Sequence, residues 1–198
     1  MSNTYVPFTP ADTAIVLVDH QPGVLAMVGS VPAAVVTSNA ATLARLGEET
    51  EVPLLITSTR ETIAFLGTNL AGIQTAAPTA YENRVRRGGT LNAFDDPAFV
   101  AAVKALNRPN LVIAGLLTDV CLFHSVVSAV DAGYRVLVVA DASGTTTTLG
   151  DAVSYDRLRS LGAEVATTYG ILFELFSDLS TPEGQQAEAI AAGSLVAA

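Results

Sequence analysis

The sequence predicts an α/β protein, with three α/β/α layers around an open, mainly parallel, Rossmann-like sheet. Two observations carry that expectation. Four short segments, Ala14–Asp19, Pro53–Ser58, Asn110–Leu116 and Arg135–Asp141, are rich in Val, Ile and Leu. They lack the polar alternation of a half-exposed strand, as parallel strands covered on both faces do. Helical patterns sit between and after them, at Pro32–Glu49, Pro97–Asn107, Asp119–Ala132 and Gly150–Leu161. Strand–helix alternation along the whole chain calls for helices on both faces of one sheet.

Further elements follow in the same way. Gly133 and Gly162 stand where helix C-caps belong. A weaker strand is expected at Glu164–Thr168, and another between Thr79 and Val85. The stretch Arg60–Arg87 is the least regular and the natural source of active-site loops. The tail from Thr181 to Ala198 begins Thr-Pro-Glu, a fair helix start, and is too apolar to float free. No composition shift marks a linker, so residues 1–198 read as one domain, with 181–198 as a C-terminal helical tail.

Composition narrows the function classes. Half of the 198 residues are apolar, 15% are charged, and the net charge is −9. Such a surface repels phosphate backbones, and the only basic cluster is Arg84, Arg86 and Arg87, so nucleic acid is not an expected partner. The N-terminus shows no basic-then-apolar targeting pattern. No apolar run approaches the roughly 20 residues a bilayer crossing needs. A cytoplasmic protein is therefore expected. The high apolar fraction and the nearly uncharged tail point to a homo-oligomer, because a monomer would leave that surface wet.

The single cysteine, Cys121, forms no internal disulfide and is either a core filler or a nucleophile. It lies in the first turn of a helix that closely follows a buried strand, with Thr118 or Asp119 as the N-cap. Unpaired amides and the positive dipole end there favour a thiolate and could hold an oxyanion. Asp19 ends the first strand, so its carboxylate emerges at the sheet edge where Cys121 also emerges. If those two strands are neighbours, the groups face one another across the crevice where open α/β sheets bind ligands. A carboxylate there can take the thiol proton and return it to a leaving group. An Asp at a strand end can equally cap the loop His20–Gly23.

The segments IVLVDHQP (Ile15–Pro22) and AGLLTDVC (Ala114–Cys121) resemble the two signatures of the isochorismatase-like cysteine hydrolases. Ala129, Gly133–Arg135, the strand Val136–Ala140 and Asp141-Ala142-Ser143-Gly144 continue the second. With Arg87-Gly88-Gly89 and Leu91-Asn92-Ala93-Phe94 upstream, the pattern is most similar to the YcaC-like branch. The resemblance covers about Asp12 to Phe176. It implies the isochorismatase-like hydrolase fold, hydrolysis of small amides by an Asp-Lys-Cys triad, and a homo-oligomer that is a tetramer or an octamer of paired tetramers.

Carried over residue by residue, the resemblance makes Cys121 the nucleophile and Asp19 the acid–base. No lysine stands at the third place. Counting back from Asn92-Ala93-Phe94, Arg87 falls there, with Arg86 as competitor. Arginine keeps the charge but cannot act as an acid. The family also implies a cis peptide at Leu116–Leu117 and an oxyanion hole from the Leu117 and Cys121 amides. Gln21, Thr59, Glu61, Asn92, Phe94 and Thr118 are pocket candidates by position, and His20 is a candidate for the pocket mouth. His124, one turn beyond Cys121, either touches the site or fills the helix face.

Thr57–Gly72 carries no His or Asp, unlike metal-binding nicotinamidases, and His20 and His124 have no ligand spacing, so no metal and no cofactor is expected. The expected function is thus cysteine hydrolysis of a small-molecule amide through a thioester. The alternatives are a catalytically degraded binding or scaffold member of the same fold and a single-thiol redox protein.

Overall fold

A computed structural model describes residues 5–195. Six parallel strands form one sheet: β1 (Thr13–Val18), β2 (Leu54–Thr59), β3 (Val85–Arg87), β4 (Asn110–Gly115), β5 (Arg135–Val139) and β6 (Glu164–Ala166). Their order is β3-β2-β1-β4-β5-β6, so the chain reverses direction of travel between β1 and β4. In register, Val18 pairs with Gly115, which brings the carboxyl ends of these two strands level. Every residue of β1 and β4 is buried, which is why both read as apolar runs after their first, polar residues Thr13 and Asn110.

Successive side chains on a strand point to opposite faces, and the core divides accordingly. Ile15, Leu17, Val112, Ala114 and Leu137 pack in one layer with α2 (Ala33–Glu49), α8 (Thr168–Leu175) and α9 (Pro182–Leu195). Ala14, Val16, Leu111, Ile113 and Val136 pack in the other with α5 (Pro97–Ala105), α6 (Phe123–Asp131) and α7 (Thr148–Ser160). These are the three layers. Helix α9, at the expected tail, buries Ala187, Ile190 and Ala191 on the first layer; residues 196–198 lie outside the described residues.

Several expected boundaries move. The strand placed between Thr79 and Val85 is instead Val85–Arg87, because the preceding segment folds as α4 (Pro78–Glu82) with Pro78 opening the turn. The irregular stretch also contains α3 (Ala71–Ala76), and α1 (Pro22–Leu25) follows β1 directly. The last strand stops at Ala166 because the Thr167 hydroxyl caps α8 by accepting from the Gly170 amide. Gly133 and Gly162, at φ +90° and +98°, end their helices as expected. Neither Thr118 nor Asp119 caps the helix at Cys121. Residues Thr118–Leu122 form a π-turn, with Leu117 at its N-terminus, that runs into α6.

Candidate active site

Asp19 leaves β1 at φ +57°, a left-handed conformation that short polar residues adopt more readily than bulky ones. Its amide donates to the Thr57 carbonyl at 3.1 Å, and its side chain is fully buried. β3 then supplies the cation. Arg86 pairs with Ser58 and Arg87 with Thr59 on β2, so alternation sends the two arginines to opposite sides. The Arg86 side chain is 60% exposed, whereas that of Arg87 is 0% exposed. Arg87 Nη2 lies 2.5 Å from both oxygens of Asp19. Its Nε donates to Thr57 Oγ1 at 3.0 Å and its Nη1 to the Thr90 carbonyl. Thr57 Oγ1 in turn donates to the Val85 carbonyl at 2.8 Å. Nearly all of the guanidinium's hydrogen-bonding capacity is thus used, as a buried charge requires.

Cys121 sits in the π-turn, where the Leu122 amide reaches back five residues to the Leu117 carbonyl at 3.2 Å. Ser125 Oγ donates to the Cys121 carbonyl at 2.7 Å and accepts from the Ala93 amide at 3.0 Å. It thereby joins the turn that carries Cys121 to the segment that follows Arg87. Beneath the turn, the Thr118 amide donates to the Gly144 carbonyl at 3.0 Å, and the Asp119 carboxylate accepts from the Thr145 hydroxyl. The Asp141–Gly144 segment therefore cradles the loop that carries Cys121. The Leu116–Leu117 peptide is cis, and the Leu117 amide acts to favour the Cys121 thiolate.

The electrostatics reverse one expectation. A helix start was expected to favour the thiolate, yet the Cys121 thiol is pushed up to about 12. Burial is the largest cause; the Asp19 charge and a hydrogen bond to Asp19 add to it, and Arg87 and the Leu117 amide only partly oppose them. Burial also lifts the Asp19 carboxyl above its ordinary value, against the pull of Arg87. The resting pair is a neutral thiol beside a carboxyl that burial makes more basic than usual.

The pocket candidates fare unevenly. Gln21 is fully buried, and both ends of its amide are occupied. It accepts from the Thr59 amide at 2.7 Å and donates to the Thr59 and Gly67 carbonyls at 2.9 and 2.6 Å, so it clamps loops rather than lining a pocket. Thr59 and Thr118 are buried as well. Asn92 accepts from the Phe94 amide and donates to Asp95 and Ser128, which makes it a turn cap. Phe94 packs edge-on against Phe99, with ring centroids 5.3 Å apart. His20 does not reach any mouth. It is fully buried, bonded through Nε2 to the Ala142 carbonyl at 2.8 Å, and its pKa is lowered to about 4 by burial. His124 is exposed and stacks edge-on with Phe123.

Glu61 does line a depression of about 480 Å³, together with Arg60, Thr68, Arg86 and Arg87. Its carboxylate is held by Arg84 at 2.7 and 3.0 Å and by Ser58. Cys121 and Asp19 line neither this depression nor the larger one bordered by Glu49, Asp178 and Glu183. Among the described residues no three His, Cys, Asp or Glu side chains converge as a metal site. Sequence patterns did not single out Thr57, Ser125 or Arg60. The one available signal was a hydroxyl at a buried position, Thr57 beside Ser58 and Thr59 at the end of β2 and Ser125 among the apolar residues of α6.

A parallel 3-2-1-4-5-6 sheet makes this a doubly wound α/β protein, with a buried Asp–Arg pair and a cysteine near the reversal of strand order, where such folds bind ligands. The isochorismatase domain model matches residues 13–169, and the chain belongs to the isochorismatase family. It is 35% identical over 179 residues to the protein named "Probable hydrolase YcaC" of Escherichia coli (strain K12), covering 90% of this chain and 84% of that one. The solved structure of the Escherichia coli YcaC gene product, described as an octameric hydrolase of unknown specificity, superposes with a TM-score of 0.88 at 32% identity, covering 99% of this chain and 92% of that one. YcaC from Pseudomonas aeruginosa, solved with hexane-2,5-diol and covalent acrylamide, superposes with a TM-score of 0.90 at 32% identity, covering 99% and 95%.

Proposed function

We propose that this member of the family is a metal-independent cysteine hydrolase that cleaves the C–N bond of a small amide with Cys121, Asp19 and Arg87. The observation that carries the proposal is the fully buried Asp19–Arg87 pair set against the thiol of Cys121. Asp19 takes the thiol proton as Sγ attacks the carbonyl carbon. The C=O electron pair moves to oxygen, which the Leu117 and Cys121 amides receive. The C–N bond then breaks, the amine leaves with the proton from Asp19, and a thioester remains. Water gives a proton to Asp19 and attacks the thioester; the C–S bond breaks and Sγ recovers its proton. Arg87 shuttles nothing. It holds Asp19 ionised and oriented until the thiol proton arrives.

A carboxyl lifted by burial is the stronger base that this step needs. Covalent acrylamide in the Pseudomonas aeruginosa relative is in keeping with a reactive group on this fold. A redox-sensing role fits less well, because redox-sensor cysteines have low pKa values, the opposite of Cys121. The test is ammonia release from a panel of small primary amides and N-carbamoyl compounds. Cys121→Ala is expected to abolish it without changing the melting temperature by more than a few degrees; turnover near wild type would remove Cys121 from the mechanism.

Self-association belongs to the same proposal. Leu149, Phe65 and Leu91 are 72%, 64% and 51% exposed, and the Escherichia coli relative is described as octameric. Light scattering at micromolar concentration is expected to give a multiple of 20.4 kDa. No helix among the described residues is long and apolar enough to cross a membrane.

A further inference from the structure

Arg60 is the basic group beside the site that the mechanism does not use. It follows β2 at φ +46°, and its amide donates to the Arg87 carbonyl at 2.9 Å. This bond, with the Gln21 clamp on Thr59 one residue earlier, fixes the backbone from which the side chain starts. The stem then lies over Gly89, where a Cβ would come within 3.2 Å of the arginine Cδ. Gly89 has φ +135°, a conformation side-chain-bearing residues rarely adopt, so the close approach of Arg60 relies on glycine at that turn.

The charges around the depression are unevenly matched. Arg87 is taken by Asp19. Arg84 and, at 3.7 Å, Arg86 share Glu61. Arg60 is exposed, and among the described residues no carboxylate pairs with it. On a chain of net charge −9, an unpaired guanidinium at the lip of this depression is a localised positive site. Its charge is near enough to favour ionised Asp19. Arg87, whose Nη2 touches Asp19, is among the residues that line the same depression.

We propose that Arg60 is a specificity-determining residue that binds a carboxylate carried by the substrate, so that the preferred substrates are anionic amides rather than neutral ones. This rests on the hydrolase proposed above for the reaction, though not for the binding. Guanidinium–carboxylate recognition is charge-assisted and planar, and it depends on the substrate's carboxylate being held at the correct span from the scissile carbonyl. The span selects the chain length.

Two readouts keep binding and chemistry apart, using monoamides of two- to five-carbon dicarboxylic acids (oxamate to glutaramate) and the neutral diamide of each. In the first, each compound protects Cys121 against iodoacetamide at alkaline pH, followed by mass spectrometry. At the best chain length the monoamide is expected to protect at about tenfold lower concentration than the diamide. Arg60→Gln is expected to bring the two within about twofold, and Arg60→Lys to keep part of the preference. Thermal melts of each variant report that the fold is retained. Equal protection by both compounds in the wild-type protein, including none by either, overturns the proposal. So does an unchanged preference in Arg60→Gln, or its loss in Arg86→Gln instead.

The second readout is ammonia release from the same compounds, where the preference is expected in KM rather than kcat. If no compound loses ammonia while the protection preference stands, the amide-hydrolase proposal fails and the anion site stands. If the compounds are hydrolysed with no preference for charge, the hydrolase stands and the role of Arg60 fails.

Discussion

Replacing Asp19 with Asn is expected to speed alkylation of Cys121 while stopping hydrolysis. The thiol lies at about 12 against an ordinary 9.0, a displacement to which burial contributes most and the Asp19 charge and hydrogen bond contribute the next two parts. Since burial remains in the variant, removing the anion lowers the thiol by roughly one to two pH units, within the range a neighbouring charge produces. A thiolate of lower pKa is also less nucleophilic, with a Brønsted slope of about 0.4–0.5. The net gain at a fixed pH well below the pKa is therefore about 3- to 16-fold in rate. The assay is pseudo-first-order modification by iodoacetamide between about pH 7 and pH 10, with the adduct located at Cys121. The wild-type rate is expected to rise about tenfold per pH unit with no plateau near neutrality. A variant that reacts no faster than wild type, or a wild-type plateau near pH 7, would refute the thiol–carboxylate resting state.

Arg87→Ala is expected to cost about 3–5 kcal/mol of stability by stranding the buried Asp19 carboxylate. Asp19's folded pKa is already raised, and it rises further without Arg87. The folded state then holds the proton longer, so the variant's stability falls as pH rises from the unfolded carboxyl pKa through the folded one, and it melts higher near pH 5 than near pH 8. A melting curve flat over that range would contradict this. His20 acts on the acid side. Its folded pKa of about 4 lies below the ordinary 6.5, so stability is lost as pH falls from 6.5 through 4, by about 3 kcal/mol when complete. Denaturant melts of His20→Gln should lack that component of the acid slope.

Ser125→Ala is expected to cost about 1–3 kcal/mol by leaving the Ala93 amide without its acceptor, and to lower kcat more than it raises KM. A purely structural role would leave kcat unmoved. Gly23→Ala should destabilise strongly, because a Cβ there would stand 2.2 Å from the Phe65 carbonyl oxygen. Urea midpoints no lower than wild type would show that the loop can yield.

Much of the architecture was legible in one dimension because parallel strands buried on both faces leave an unmistakable residue pattern. Ala14–Val18 and Leu111–Gly115 are apolar throughout for that reason, and Asp19 and Cys121 stand out as polar or reactive groups at or soon after their ends. Alternation on an extended segment even separates Arg87 from Arg86, once β3 is known to pair with β2. What sequence could not supply depends on contacts between distant segments. Val85–Arg87 is a strand only because β2 offers it an edge, and its three residues carry no periodic signal of their own. Gln21 and Asn92 sit where pocket residues belong, but backbone groups up to 46 residues away occupy the Gln21 amide, and Ser128, 36 residues on, takes one of the Asn92 hydrogens. The protonation of Cys121 follows the same rule. A helix start argues for a thiolate locally, yet burial and a carboxylate brought 102 residues through space to its side hold it as a thiol, because desolvation and a near charge outweigh the weak field of one helical turn.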